Sequence, residues 1–467
     1  MKILLVDPPV DQYFSPFKEG PAFALGLLAI DSCLEKHGCR DIELENYFAC
    51  DWAEIEARLR RSRPDILGVG CTTDSRGFCF RLAGLAKSIN PQCRVVLGNV
   101  HATFFAREIL EHYPVDFCVL SEGEETMLEL VRALESGRDG FAAILGLAYR
   151  DARTGEVRLN ERRPLLKDLD AIPINPKRRL FVNENGLRQG NMMSSRGCPF
   201  ACGFCSSSSF WGRTWRKRRP ETVVEEFEML KAQGAEVIDI LDDLFTMDLD
   251  RADRICDMLI ARGNRTPWFA RARVDCITEP LVDKMIAAGC REISFGIESG
   301  DPDMIKRINK KIDLDQAAEV FQMLRPKPLV ARANFMIGNP GETPQTVDAS
   351  IQLACRMNPT SIIASIARVY PNTMLDAEAR KHGLIDREFW YLKTDPVPYY
   401  TVDMPFEHMQ AHATRMMFRW ALNSGLVPLA KMAYANWRLS GTRRSLSFVF
   451  SWIHSWFPRR AGHAPAG

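Results

Sequence analysis

Short apolar runs alternate with amphipathic stretches along most of this 467-residue chain. The first 140 residues contain five strand-like runs, at 2–6, 42–46, 66–71, 94–98 and 116–120. A helical pattern follows each run. Strands spaced by helical stretches are typical of βαβ units, which build a parallel sheet covered by helices. We therefore predict an α/β protein with a Rossmann-like N-terminal domain. Its ligand crevice is expected beyond the carboxyl ends of the strands.

The same alternation returns after residue 190. Segment 141–189 differs, with a hairpin pattern around 151–155 followed by several prolines, and we interpret it as a connector. Six further strands then alternate with helices, at 192–195, 237–241, 268–273, 292–297, 332–337 and 361–369. Six repeats predict a partial (β/α)6 barrel with its chemistry at the carboxyl ends of the strands. The expected organisation is 1–140, 141–189, 190–400 and a helical, basic C-terminal region at 401–467.

The composition excludes several classes of protein. Hydrophobic residues make up 46% and charged residues 26%, which excludes a disordered, collagenous or coiled-coil chain. The net charge of +2 creates no overall field for nucleic acid. Residues 213–219 (RTWRKRR) mix arginines with a tryptophan, as nucleic-acid patches do. A helix start follows at once, so we interpret them as a solvated loop and predict no nucleic-acid partner.

The location of the protein is predicted from three features. We find no secretory signal pattern and no window of about 18 apolar residues. The 14 cysteines are scattered apart from one cluster, which is typical of reduced thiols in the cytoplasm. Residues 446–457 are apolar and aromatic with arginines on both sides. They are compatible with packing on the barrel or with peripheral membrane contact, so a membrane-associated protein is the alternative.

The strongest local signal is a cluster of three cysteines. Cys198, Cys202 and Cys205 have the spacing C-x3-C-x2-C directly after the first strand of the second series. Cysteine thiolates suit iron–sulfur clusters and zinc, but structural zinc needs a fourth protein ligand. The next cysteine, Cys256, lies inside a predicted helix. Three cysteines on a four-iron cluster leave one iron open to a small molecule. A zinc site and incidental thiols remain the alternatives.

This motif, with the aromatic Phe204 before its last cysteine, resembles the radical S-adenosylmethionine (SAM) family. The resemblance implies that the three cysteines hold a 4Fe-4S cluster whose open iron binds SAM. Reductive cleavage of SAM then gives a 5′-deoxyadenosyl radical. It further implies SAM contacts at Phe204, Asp242, Arg273, Glu298, Ile337, Gly338 and Asn339. A helix cap is the alternative for Asp242, and a solvated or ion-paired arginine is the alternative for Arg273.

The N-terminal half resembles the cobalamin-binding members of that family, which include the anaerobic magnesium-protoporphyrin cyclase and many methyltransferases. The resembling segments are 65–73, 95–103 and 116–126. The cobalamin contacts implied are Pro8, Thr72, Thr73, Ser75, Gly98, His101, Thr103, Glu122 and Gly123. The motif D-x-H-x-x-G is absent, so His101 is not expected to ligate cobalt, and packing against the sheet is its alternative. Loss of cobalamin binding is a further alternative.

The resemblance therefore predicts a cobalamin-dependent radical SAM enzyme that methylates an unactivated carbon. The alternatives are a radical cyclase, an oxidoreductase or a rearrangement enzyme with cobalamin assisting or absent. A non-catalytic cobalamin or iron–sulfur sensor is an alternative of another class. The expected partners are a small-molecule, lipid-like or tetrapyrrole substrate and an electron donor such as flavodoxin or ferredoxin.

Overall fold

The computed structural model describes residues 1–9, 24–48, 50–137, 140–151, 153–175, 177, 180–183 and 185–425. Within these ranges the chain forms two seven-stranded sheets and one two-stranded ribbon. Parallel strands alternate with helices in both large sheets, which confirms the predicted α/β class.

The N-terminal part of the chain builds the first sheet. Its strands are β1 (Ile3–Asp7), β2 (Ile42–Asn46), β3 (Ile66–Gly70), β4 (Arg94–Gly98), β5 (Phe117–Val119), β6 (Leu147–Arg150) and β7 (Val157–Leu159). Its helices are α1 (Leu25–Lys36), α2 (Trp52–Ser62), α3 (Arg76–Ile89), α4 (Asn99–Phe104), α5 (Ala106–His112) and α6 (Glu124–Glu135). The order β2-β1-β3-β4-β5 is parallel, and β6 and β7 extend it antiparallel. This is a doubly wound order, in which ligands bind beyond the carboxyl strand ends.

Two separate cores lie on the two faces of the first sheet. Successive side chains of a strand point to opposite faces. Leu4 and Val6 accordingly pack with α2, α3 and α5, whereas Ile3 and Leu5 pack with α1 and α6. Which face a residue occupies therefore decides which of its neighbours it can contact.

The second sheet is the open barrel. Its seven strands are β8 (Phe181–Val182), β9 (Arg188–Met192), β12 (Val237–Ile240), β13 (Trp268–Ala272), β14 (Cys290–Glu298), β15 (Val330–Ile337) and β16 (Ser361–Ile366). The separate ribbon consists of β10 (Ser195–Arg196) and β11 (Arg216–Lys217). The order is β16-β15-β14-β13-β12-β9-β8, while β10 and β11 form the ribbon. Six of these strands are parallel to one another, namely β9, β12, β13, β14, β15 and β16. This confirms the predicted partial (β/α)6 barrel.

Helices cover the outside of this barrel and continue beyond it. They are α7 (Ser207–Trp211), α8 (Pro220–Ala232), α9 (Leu249–Ala261), α10 (Glu279–Ala287), α11 (Pro302–Arg307), α12 (Leu314–Leu324), α13 (Pro344–Met357), α14 (Met374–Lys381), α15 (Phe389–Leu392) and α16 (Phe406–Ser424). The helix α16 packs on the barrel, where Trp420 Nε1 donates to the Pro359 carbonyl at 3.2 Å.

The two faces of the barrel wall differ in chemistry. The strand residues that face the helices are apolar and buried; examples are Ile238, Ala270, Ile293, Phe295 and Ala333. The concave face is polar and half-exposed. On it, Arg271 lies 3.0 Å from Asp239, and Asn334 Nδ2 donates to Ser294 Oγ at 2.8 Å. The lumen of the barrel is therefore a polar surface.

Two elements differ from their predicted positions. The first barrel strand ends at Met192 rather than covering 192–195, because Ser194 and Ser195 leave the strand to donate to Asp242. Segment 141–189 carries β6 and β7 of the first sheet and β8 of the second. The domain boundaries predicted at residues 140, 189 and 400 stay a proposal. Within them, segment 141–189 contributes strands to both sheets.

No helix in the described ranges is long and apolar enough to cross a membrane. Residues 446–457 lie outside the described residues, so their predicted packing or membrane contact stays a prediction. All 14 cysteines are described, and none forms a disulfide.

Candidate active site

A loop with three cysteines lies at the carboxyl ends of the barrel strands. Cys198, Cys202 and Cys205 follow β10, and all three are half-buried. Gly203 N–H donates to the Ile308 carbonyl at 2.7 Å, and Met374 N–H donates to the Gly203 carbonyl at 2.8 Å. The loop is thus held from both sides, and the sulfur atoms have a defined place in the barrel mouth.

The three thiols carry raised pKa values. Burial is the largest cause at each of them, and it raises the pKa of Cys205 to about 11. Such thiols keep their protons at neutral pH, and metal binding displaces those protons. Among the described residues, no three His, Cys, Asp or Glu side chains are grouped so as to hold a single metal ion.

The structure places Asp242, a predicted SAM contact, in the core with all its acceptor sites in use. Asp242 is fully buried, and its Oδ1 accepts the N–H groups of Ser194 and Ser195 at 2.6 and 3.0 Å. Its Oδ2 accepts the two hydroxyls of the same serines at 2.5 and 2.6 Å. A carboxylate has about four acceptor sites, and all of them are used here. Asp242 therefore closes the turn between β9 and β10.

The adjacent Asp243 is the carboxylate that faces the cleft. Its side chain is exposed, and its Oδ2 accepts a hydrogen bond from Ser207 Oγ at 2.8 Å. Its negative charge contributes to the raised pKa values of Cys198 and Cys205, so it lies near both thiols. Of the two adjacent carboxylates, Asp243 is therefore the better placed to meet SAM, and the prediction of Asp242 stays untested.

A buried ion pair stands beside Phe204. Lys310 Nζ lies 3.0 Å from Glu298 Oε1 and 5.8 Å from the centroid of the Phe204 ring. Glu298 ends β14 with a φ of +72°, at an irregularity in the strand register. A Cβ at position 296 would lie 2.6 Å from Lys310 Nζ, so Gly296 makes room for the pair. Lys310 was not predicted, because it follows a different helix and meets Glu298 only in the folded chain.

Arg273 is engaged in holding the turn that carries Lys310. Its guanidinium donates to Asp275 at 2.9 and 2.8 Å and to the carbonyls of Lys310 and Lys311 at 3.1 Å. It also lies 3.6 Å from the centroid of the Phe200 ring. The structure thus favours the ion-paired alternative for Arg273, with an indirect effect on the site through Lys310.

The predicted adenine motif at Ile337, Gly338 and Asn339 is turned into the core. Ile337 is 1% exposed and Asn339 is fully buried. The N–H groups of Gly338 and Asn339 donate to Glu342, whose pKa burial raises to about 7. The strand alternation instead points Met336, which is half-buried, to the opposite face. The side chains of Ile337 and Asn339 therefore face the core, and a contact of this segment with SAM stays a prediction.

A cavity of about 380 Å³ lies between the first sheet and the barrel. It is lined on the sheet side by Gly68, Gly70 and Gly98, and on the barrel side by Met193 and Arg196. A Cβ at Gly70 would have no atom closer than 3.9 Å. Gly70 and Gly98 therefore leave open a space that side chains would otherwise fill, whereas a Cβ at Gly68 would lie 2.7 Å from Leu5 Cδ2. Its remaining walls are mainly apolar and include Leu5, Leu27, Leu28, Val96, Val119 and Met127.

Comparisons with family models and with known proteins agree on the family of this chain. A model of the radical SAM superfamily matches residues 192–354, and a model of the B12 binding domain matches residues 19–131. The chain is 35% identical over 408 residues to an uncharacterised methyltransferase of Pyrococcus horikoshii, covering 85% of this chain and 87% of that protein. The chain belongs to the B12-binding radical SAM superfamily.

Two further relatives mark the breadth of this superfamily. The anaerobic magnesium-protoporphyrin IX monomethyl ester cyclase of Rubrivivax gelatinosus is 31% identical, over 70% of this chain and 60% of that protein. The structure of the radical SAM methyltransferase TsrM from Kitasatospora setae has a TM-score of 0.70 and 21% identity, over 82% of this chain and 75% of that chain. That structural likeness shows the shared fold.

As a radical SAM enzyme, the protein uses a 4Fe-4S cluster and SAM, and its B12-binding domain adds cobalamin. The donor set fits the cluster in its chemistry, because one loop at the barrel mouth carries three thiols and Cys205 feels the charges of the other two. Asp243, Lys310 and Glu298 supply charged groups of both signs beside it. These match the amino group, carboxylate and ribose hydroxyls of SAM.

The glycine-lined cavity fits part of a cobalamin, because it is a cradle that a Cβ would fill. Of the predicted contacts, Gly98, Glu122 and Gly123 line it. Pro8 and Thr72 lie near the carboxyl ends of β1 and β3, outside this cavity, and their roles stay predictions. Gly68 and Gly70 share the face of Ile66, as period-two alternation along β3 indicates.

Four predicted cobalamin contacts are instead buried in the protein: Thr73, Ser75, His101 and Thr103. Ser75 bonds to Thr72 at 2.9 Å, and Thr103 Oγ1 donates to the Asn99 carbonyl at 2.8 Å. His101 is fully buried, with its ring 4.9 Å from that of Phe105. Burial lowers its pKa to about 3, so it is neutral. It belongs to the core on the sheet face opposite the cavity, which favours the packing alternative.

Proposed function

We propose that this enzyme is a cobalamin-dependent radical SAM methyltransferase that methylates an unactivated carbon of a polar small molecule. The observation that carries the proposal is the shared cavity. Gly70 and Gly98 of the first sheet line the same space as Arg196, which lies two residues before the first cysteine. A cobalamin held by the first sheet and a SAM held by the barrel would therefore lie next to each other, as transfer of a methyl group between them requires.

The chain's own residues would hold and orient the reactants. When bound, the cluster supplies the electron that cleaves SAM, and cobalamin supplies the carrier of the methyl group. Asp243 accepts hydrogen bonds from the SAM amino group, and Lys310 pairs with the SAM carboxylate. Glu298 accepts from the ribose hydroxyls while its ion pair with Lys310 at 3.0 Å fixes its direction.

The polar lumen supports a polar substrate over a lipid-like or tetrapyrrole one. Asp239, Arg271, Ser294 and Asn334 are half-exposed on the concave wall. An apolar ligand would remove these groups from water without replacing their hydrogen bonds, which costs free energy. A molecule with hydrogen-bonding groups of its own would replace them. An electron donor such as flavodoxin or ferredoxin completes the proposal as the source of the electron.

A radical cyclase is the second candidate, because the cyclase of Rubrivivax gelatinosus is 31% identical over 70% of this chain. Product analysis separates the two candidates. The purified enzyme, with iron and cobalt quantified, is incubated anaerobically with SAM and dithionite. A methyltransferase forms both S-adenosylhomocysteine and 5′-deoxyadenosine, whereas a cyclase forms no S-adenosylhomocysteine. Absence of S-adenosylhomocysteine would therefore refute the proposal, and absence of any SAM cleavage would indicate a sensor.

The matched control replaces Cys198, Cys202 and Cys205 together by alanine. Its iron content should fall to background while cobalamin binding persists, because none of these three cysteines lines the cavity. Loss of both cofactors in this variant would show that the two sites are not independent.

A further inference from the structure

Two ion-pair clusters join the carboxyl edge of the first sheet to the barrel. In the first, which we call the Glu122 clasp, Glu122 lies 2.6 Å from Arg196 and 2.8 Å from Arg216. Arg196 also lies 2.7 Å from Glu124. Only 5% of the Glu122 side chain and 13% of the Arg196 side chain are exposed. These charges are paired between the end of the first sheet and the β10–β11 ribbon at the barrel mouth, and they are nearly removed from water.

The second cluster, the Asp74 clasp, lies at the other end of the barrel. Arg368, which follows β16, lies 2.9 Å from Asp74 in the loop after β3. The hydroxyl of Tyr370 donates to the same carboxylate at 3.2 Å. Arg368 Nη2 also donates a hydrogen bond to the Val397 carbonyl at 3.2 Å.

The position of the two clasps follows from the open barrel. The six parallel strands of the barrel run from β9 to β16, and the short antiparallel β8 lies beyond β9. Arg196 follows β9 and directly precedes the cysteine loop, while Arg368 follows β16. The two clasps therefore tie the chain after the first and after the last parallel strand to the carboxyl end of the first sheet. Buried ion pairs add little net stability, since desolvation offsets their attraction, but they fix geometry once formed.

We propose that Asp74, Glu122, Glu124, Arg196 and Arg368 are positioning residues that set the separation between the cobalamin and the SAM bound at the cluster. This inference rests on the proposed function, because only a reaction that uses both groups depends on their separation. A misplacement of about 1 Å can slow a reaction about a hundredfold. The clasps therefore control transfer of the SAM methyl group, while SAM cleavage needs the barrel alone.

The test uses Arg216→Lys and Asp74→Asn in the full-length enzyme loaded with iron and cobalamin. Arg216 belongs to the Glu122 clasp but does not line the cavity. Lysine keeps the charge but lacks the planar guanidinium that holds Glu122. Without substrate and under reducing conditions, we expect S-adenosylhomocysteine to form about tenfold more slowly in either variant. The rate of 5′-deoxyadenosine formation and the iron and cobalt contents should stay within about twofold of the wild-type values. The matched control is Glu279→Gln, which removes an exposed partner of Lys327 on the barrel surface.

A second readout does not depend on methyl transfer. The magnetic coupling between the reduced cluster and cob(II)alamin, measured by EPR, reports their separation directly. We expect it to change in both clasp variants and not in Glu279→Gln. Unchanged coupling with an unchanged rate of S-adenosylhomocysteine formation would overturn the inference, as would loss of either cofactor. If the wild-type enzyme forms no S-adenosylhomocysteine, the proposed function fails, and the EPR coupling still decides whether the clasps set the separation.

Discussion

Replacement of Asp242 or Asp243 separates a structural carboxylate from a ligand-binding one. Asp242→Ala leaves the buried N–H groups of Ser194 and Ser195 without an acceptor, together with two hydroxyls. The hydroxyls can rotate toward other partners, so the two amides set the magnitude. An unsatisfied buried donor costs about 1–3 kcal/mol, and we therefore expect Asp242→Ala to lower the free energy of unfolding by about 2–6 kcal/mol.

Asp243→Ala should behave in the opposite way. Asp243 is exposed and makes one hydrogen bond, to Ser207, so its loss should cost less than about 1 kcal/mol of stability. It removes the only cleft-facing carboxylate of the pair, and SAM affinity should fall about tenfold, or about 1.4 kcal/mol.

The assay is urea unfolding of the reduced apo-protein, followed by circular dichroism, for the wild type and both variants. SAM binding is measured by equilibrium dialysis on the iron-loaded protein at a temperature where all three are folded. Asp242→Asn is the matched control, because its amide oxygen still accepts the two N–H groups. Unchanged stability and lost SAM affinity in Asp242→Ala would refute the assignment and restore Asp242 as a SAM ligand.

Three further changes test other parts of the site. Gly70→Val should fill the glycine-lined cavity and reduce the bound cobalt about tenfold, with the iron content unchanged, as measured by elemental analysis. Lys310→Met should weaken SAM binding about tenfold in equilibrium dialysis, since it removes the cation beside Phe204. Burial raises the pKa of Glu342 from 4.5 to about 7, so ionisation opposes folding. The free energy of unfolding should therefore fall as pH rises through that range, and Glu342→Gln should flatten the profile obtained by urea unfolding.

Each of these changes has a control and an opposing outcome. Gly70→Ala should retain most of the cobalt, and equal cobalt in Gly70→Val and the wild type would exclude the cavity as a cobalamin site. Lys311→Met changes an exposed neighbour and should leave SAM affinity unchanged. A similar loss in both lysine variants would point to a general charge effect. Glu319→Gln alters an exposed carboxylate. If it flattened the pH profile as much as Glu342→Gln, the buried carboxyl would not be the cause.

The cysteine motif and both sheets could be predicted because their signals are local. Ligand spacing is a property of ten consecutive residues, and βα alternation repeats within windows of about thirty. Several predicted site residues that the structure places in the core lie at strand ends or just beyond them. At Asp242 and Asp243 the strand has ended, so period-two alternation no longer indicates which side chain faces the cleft. At His101, α4 begins one residue after β4, and the helix carries the imidazole to the opposite face of the sheet.

The sequence by itself determined the cofactor chemistry, because three thiols at C-x3-C-x2-C and the glycines of β3 are set by covalent order and backbone alternation. Only the tertiary structure decided how those cofactor sites meet. Lys310 reaches Glu298, Arg196 reaches Glu122, and Arg368 reaches Asp74 across segments that no local pattern links. These contacts exist because burial brings opposite charges together where water no longer screens them, and burial is a property of the folded chain.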